Sequence, residues 1–198
     1  MSAALQPPPL PPRDMTVEEF LEWADDLDGR WELRDGEPEM MAPPREAHGA
    51  IQSEAAYLLT DHLRRTGRPC RVVTTPGVIP RVFSDRSMLV PDLGVTCAPP
   101  SEGRDLPDPL ALLEILSPSN AKRTRANLWA YASIPSVAEI VVVHSLRIAA
   151  EVLRRGPDGA WPEGPETVGP DGVLRVECVG FSVPLRDLYR TTTLAAGG

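Results

Sequence analysis

Two runs of this chain, Met88 to Cys97 and Leu110 to Leu116, are apolar at nearly every position rather than at every second one. Such strands cannot line a sheet with one wet face, so they need cover on both sides. A segment with helical character, about Asn120 to Ala132, follows the second run and leads to a third, valine-rich run, Glu139 to His144. A strand–helix–strand unit of this kind returns to the same sheet by a right-handed crossover. The expected fold class is therefore α/β (α+β), with helices against a central sheet. The 198 residues suffice for one domain with a real core.

The flanking segments carry clear local signals. Residues 1–14, with Pro7, Pro8, Pro9, Pro11 and Pro12, are expected to form an extended, disordered tail. A single domain is expected over 15–190, with 191–198 a flexible tail. Thr16 and Glu19 read as a capping box opening a short helix, Val17 to Ala24. Trp31 to Arg34 and Glu37 to Met41, joined by Asp35-Gly36, read as an N-terminal β-hairpin. From Glu46 to Arg65, Ala47, Ile51, Ala55, Leu58, Leu59 and Leu63 share one helical face, and Gly67 ends the helix. Cys70 to Phe83 is strand-like, with Pro76 and Pro80 expected at an edge, bend or bulge. Arg147 to Arg155 and Val173 to Cys178 complete the strands, with 156–172 read as a Gly/Pro-rich loop between them. No internal repeat is visible.

Each of the first two apolar runs holds one acid. Asp92 follows Leu89-Val90-Pro91, and Glu114 follows Leu110-Ala111-Leu112-Leu113. A lone carboxylate in such surroundings costs several kcal/mol or takes up a proton. Two in successive strands call for a cation. A hard divalent ion fits, because Mg²⁺ accepts one or two carboxylates and keeps waters for a substrate. The competing possibility is that both acids face outward, or pair with Arg104 or Lys122.

The formal charge of −8 by itself disfavours nucleic acid as a partner. Its distribution is uneven, however. No acid occurs between His62 and Ser84, where Arg64, Arg65, Arg68, Arg71 and Arg81 fall, nor between Ile115 and Ala138, with Lys122, Arg123 and Arg125. Solvated faces would give the same pattern. Cys70, Cys97 and Cys178 are too few and too scattered for a disulfide framework or a structural zinc site, and are expected as buried thiols in a reducing cytoplasm. No apolar run is long enough for a bilayer, and no signal-peptide pattern opens the chain. Histidine clusters, nucleotide-binding glycine loops and a G-x-S-x-G elbow are all absent. His48 is either a base or phosphate contact or, as the preferred reading, a first-turn surface or capping residue. His62 is expected to pack, and His144 to end a strand. Trp129 and Tyr131 are expected in the core or an interface.

The ordered set Val90-Pro91-Asp92 and Leu113-Glu114-Ile115-Leu116-Ser117-Pro118-Ser119 resembles the Uma-two family, bacterial proteins of the PD-(D/E)xK nuclease superfamily. Trp31-Glu32-Leu33-Arg34-Asp35-Gly36-Glu37, His48, Tyr131 and Ile134-Pro135-Ser136 look like further landmarks of it, so the resemblance runs from about Thr16 to Leu188. It implies a restriction-endonuclease-like mixed sheet flanked by helices. It further implies that Asp92 and Glu114 bind Mg²⁺, or Mn²⁺, with the carbonyl of Ile115 as a third ligand. Glu32 would approach the ion directly or through water, and Ser117 would contact a phosphate or cap the next helix.

One departure stands out. The superfamily lysine two residues after the second acid is Leu116 here, and the family's alternative place, one turn before the tyrosine, holds Asn127. Asn offers hydrogen bonds but no charge. Lys122, the one lysine in the chain, and Arg123 lie on or near the same helix. The expectation is a Mg²⁺-dependent DNA endonuclease. Its catalytic residues would be Asp92, Glu114, Glu32, Lys122 and Asn127, with Ser117, His48 and Arg123 on the substrate and a homodimer as a natural arrangement for cutting two strands. The alternative is a catalytically impaired nuclease fold kept as a DNA- or protein-binding module.

Overall fold

The structure, a computed structural model, describes residues 12–25, 27–118 and 120–197. The expectation of disorder for the proline-rich start falls largely on residues outside these. Asp14, expected in the same tail, instead accepts a hydrogen bond from Arg86 at 2.7 Å.

The chain runs α1 (Val17–Ala24), β1 (Arg30–Arg34), β2 (Glu37–Met41), α2 (Glu46–Arg65), β3 (Arg71–Thr74), β4 (Leu93–Thr96), β5 (Pro109–Leu116), α3 (Ala121–Ala132), β6 (Glu139–His144), β7 (Ala150–Arg154), β8 (Glu166–Val168), β9 (Val173–Val176) and β10 (Phe181–Pro184). The capping box of α1 forms as expected, with Thr16 Oγ1 accepting from the Glu19 N–H at 3.2 Å and Glu19 Oε2 from the Thr16 N–H at 2.8 Å. Asp35 and Gly36 both take positive φ, 45° and 82°, which lets a two-residue turn close β1 onto β2.

A six-stranded mixed sheet in the order β3-β4-β5-β6-β7-β8 forms the centre. β5 pairs with β6 in parallel, the two strands joined through α3, and the other strand pairs described are antiparallel. Successive residues of a strand face opposite sides of the sheet. Leu113, Ile115, Val141 and Val143 pack with Ile51, Ala55, Leu59 and Leu63 of α2, beneath which the β9–β10 hairpin adds Leu174, Val176 and Phe181. Leu112 and Ile140 pack on the other side with Ala130 and Tyr131 of α3. A third cluster, Met15, Phe20, Leu33 and Met88, holds α1 and the first hairpin. Leu33 and Met88 exchange two backbone hydrogen bonds of 2.9 Å, tying that hairpin to the body.

Several expectations need correction. The run Met88 to Cys97 is a strand only from Leu93. Pro91 has no N–H to give to a ladder, and Met88 and Leu89 bridge outward to Leu33 and Val78. The loop 156–172 contains β8, which pairs with β7. The expected C-terminal tail includes a short 3₁₀ helix, Thr193–Gly197, with Leu194 against the core. Cys70 and Cys97 are not thiols but a disulfide. The β3/β4 register sets Arg71 against Thr96, so the next pair out is Cys70 against Cys97. Cys178 remains free and only half-buried, and the cysteines no longer argue for a reducing compartment. Trp129, expected in the core or an interface, is 63% exposed and so is not a core residue. Among the described residues no helix is long and apolar enough to cross a membrane.

Candidate active site

The β4/β5 register pairs Leu93 with Leu113 and Gly94 with Leu112, so one residue further back Asp92 lies opposite Glu114. Directly opposed residues of antiparallel strands share a face. Both acids are buried, at 5% exposure each, and both line a cavity of about 370 Å³. Glu32, on β1, is fully buried in the same wall. Three carboxylates from residues far apart in sequence thus meet at one end of the sheet.

Each acid is held differently. Asp92 Oδ2 accepts the backbone N–H of Ile115 at 2.7 Å, and its Oδ1 lies 2.9 Å from Nε2 of His48, which donates to it. The Gln52 amide donates to the Asp92 carbonyl at 2.8 Å, so the first turns of α2 clamp both backbone and side chain. Glu114 Oε1 accepts from the Tyr131 hydroxyl at 2.7 Å and from Nδ2 of Asn127 at 3.4 Å. Among the described residues no arginine forms an ion pair with either acid. Burial, and then the charge of Asp92, push Glu114 up to about 8 despite the bonds from Tyr131 and Asn127, and Glu32 adds to the rise. Burial and the charge of Glu114 likewise raise Tyr131 well above the usual phenol value. Glu32 Oε1 accepts from Arg34 Nη2 at 2.9 Å, with Arg123 Nε at 3.7 Å, while its buried Oε2 has no hydrogen-bond partner.

The turn into α3 closes the cavity. Asn120 Oδ1 accepts from the Ser117 N–H at 2.7 Å, and its Nδ2 donates to the Ile115 carbonyl at 3.0 Å. That carbonyl, expected as a metal ligand, already carries a hydrogen bond. Ser117 lines the cavity without being the N-cap of α3, which is Asn120.

The expected residues therefore divide. Asp92, Glu114, Glu32, Asn127, Ser117, His48 and Arg123 all line one cavity. His48 is not a surface or capping group, since its side chain is buried against Asp92. Lys122 is exposed and outside the cavity wall, so the only lysine brings no charge to it. Of the two arginine-rich stretches, the first places none of its arginines there and the second places Arg123. Sequence reasoning missed Arg34, Tyr131 as a ligand of Glu114, and Arg30 and Arg45 on the cavity wall. Arg34 left a signal: it stands two residues after Glu32 on the same strand, hence on the same face.

The chemistry of the donors suits a hard cation. A partnerless buried carboxylate oxygen and a glutamate driven toward its protonated form mark a site short of positive charge. Among the described residues no group of three or more His, Cys, Asp or Glu side chains is arranged to hold a metal by itself. Mg²⁺ needs no such cage, because one or two carboxylates and several waters suffice. Asp92 and Glu114 fit that requirement.

A mixed sheet flanked by helices, with an acid cluster at one end, places the chain in the restriction-endonuclease-like class. Residues 17–186 match Uma2, a family described as "putative restriction endonuclease", and the chain belongs to it. Among relatives, the uncharacterised protein slr1290 of Synechocystis sp. is 25% identical over 157 residues, covering 78% of this chain and 81% of that protein. The crystal structure of a "putative nuclease belonging to DUF820" from Anabaena variabilis has the same fold, with a TM-score of 0.68 and 21% identity over 88% of this chain and 97% of that one.

Proposed function

We propose that this protein is a Mg²⁺-dependent endonuclease that hydrolyses DNA phosphodiester bonds. The observation that carries the reading is the opposed, buried pair Asp92 and Glu114, which no arginine among the described residues neutralises, facing one cavity. Asp92 and Glu114 would hold the ion, with His48, Tyr131 and Asn127 fixing their carboxylates. A Mg²⁺ or Mn²⁺ ion bound there supplies polarisation of a phosphoryl oxygen and a lowered pKa for the attacking water. Glu32, through its partnerless oxygen, would orient a water molecule. Arg30, Arg45 and Arg123 on the cavity wall, with Ser117, would meet the phosphates of the substrate. Cleavage of plasmid and single-stranded DNA with Mg²⁺ or Mn²⁺ tests this: the native chain should cut and Asp92→Ala should not. Equal cutting by both, or none by either, removes the proposal.

The exposed position of Lys122 favours a second reading, a nuclease fold retained for binding DNA or protein. It requires that Glu114→Ala hold DNA as well as the native chain does, and that calorimetric titration find no Mg²⁺ affinity to lose.

A further inference from the structure

The acid cluster has no lysine, yet it is not without a cation. Among the described residues, Arg34 and Arg123 are the arginines within ion-pair distance of these three acids, and both approach Glu32. They differ in kind. Arg123 stops 3.7 Å short, whereas Arg34 Nη2 donates at 2.9 Å to Glu32 and at 2.8 Å to Oδ1 of Asn127, a residue 93 positions away on α3. The second bond fixes which way the Asn127 amide turns. With its oxygen on Arg34, its NH₂ faces Glu114 Oε1 at 3.4 Å and the Tyr131 hydroxyl at 3.3 Å.

We propose that Arg34 is a positioning residue that supplies the charge missing from position 127, acting on Glu114 through Asn127 and on Glu32 directly. Its effect on cleavage rests on the endonuclease reading; its charge coupling to position 127 does not. Arg34 is not among the residues that line the cavity. It therefore orders the acids and does not touch substrate. An ammonium placed at 127 would meet the same acids and stand beside Arg34, so in the metal-free chain the two cations repel each other and either alone is better tolerated.

The test is a double-mutant cycle of Arg34→Leu and Asn127→Lys, with Arg34→Lys as a milder variant. Metal-free thermal melting and Mg²⁺-dependent plasmid cleavage, resolved into kcat and KM, are both read. Arg34→Leu should lower Tm and cut kcat by roughly 10- to 100-fold, the usual scale for a group that orients metal-binding side chains. KM should change little, and Arg34→Lys should keep part of the activity. Asn127→Lys alone should lower Tm by crowding two cations, yet restore both Tm and kcat in the Arg34→Leu background. Additive losses without rescue overturn the proposal, as does unchanged kcat in Arg34→Leu when the native chain cuts. If the native chain and Asp92→Ala are equally inert, the endonuclease reading falls and the melting cycle alone decides the role of Arg34. Should Arg34→Leu not fold, a Tm unaltered by Asn127→Lys in the native background refutes it.

Discussion

Two sets of acids sit in the strands of this sheet, and they are treated in opposite ways. On β6 and β7, Glu139 faces Arg154 directly across the ladder, Nε to Oε1 at 2.7 Å, and Glu151 is gripped by two nitrogens of Arg125 with His144 at 2.9 Å. Beside β4 and β5, Asp92 and Glu114 meet a histidine, a backbone N–H, a phenol and an amide, and among the described residues no arginine pairs with them. The result is visible in two glutamates one strand apart. Glu151 is pulled down to about 2, chiefly by Arg125, whereas burial and Asp92 push Glu114 up to about 8. Glu139 and Glu151, whose charge arginines already meet, serve the scaffold. The pair without arginines keeps an unmet demand for a cation, and that separates a candidate site from a scaffold in one sheet.

Breaking the satisfied side should give the largest effect. Arg154→Leu strands Glu139, whose side chain is only 3% exposed, and should cost roughly 3–5 kcal/mol in urea unfolding. A loss no greater than that of an exposed arginine would erase the contrast. Next, Mg²⁺ at about a hundred times its Kd should stabilise the native chain by about 2.7 kcal/mol and Glu114→Gln by much less, read as a shift in Tm. Equal shifts would place the ion elsewhere. Tyr131→Phe removes the shortest bond to Glu114, and should weaken Mg²⁺ binding at neutral pH and lower stability by about 1 kcal/mol.

The finest distinction is in pH. Between the ordinary carboxylate value of 4.5 and about 8, the folded metal-free chain keeps a proton on Glu114 that the unfolded chain has released, so stability falls as pH rises through that window. Glu151 does the reverse. It stays ionised in the fold between 4.5 and about 2 while the unfolded chain takes up a proton, so its contribution disappears as pH falls. Urea unfolding across pH should show Glu114→Gln flattening the alkaline limb alone and Glu151→Gln the acid limb alone.

Much of the scaffold was legible because it rests on local signals. The capping box, the Asp35-Gly36 turn and the 3.6-residue pattern of α2 each act within a few residues; α1 and α2 have the expected bounds, and the hairpin starts one residue early, at Arg30. What depends on register was hidden. Glu139 is also the lone acid of an apolar run, and in sequence it looks no different from Glu114. Its partner Arg154 is set opposite it only once β6 and β7 pair. The same applies to Cys70 and Cys97, 27 residues apart and adjacent across two strands. His48 resembled an exposed first-turn residue because nothing in α2 itself shows that Asp92 lies beside it. β8, three residues long with two of them exposed, lacks the apolar pattern that marks a strand.

The first hairpin delivers Glu32 and Arg34 from outside the six-stranded sheet, held by the Leu33–Met88 bridge, one small apolar cluster, bonds of Asp35 and Gly36 to Ser87 and Arg86, and the Arg34–Asn127 bond. The pocket is therefore stitched together from two separately anchored parts. Fraying that seam would pull one acid and its guanidinium away from the other two while every central strand stayed paired, so competence can be lost at a temperature where the scaffold has not begun to melt.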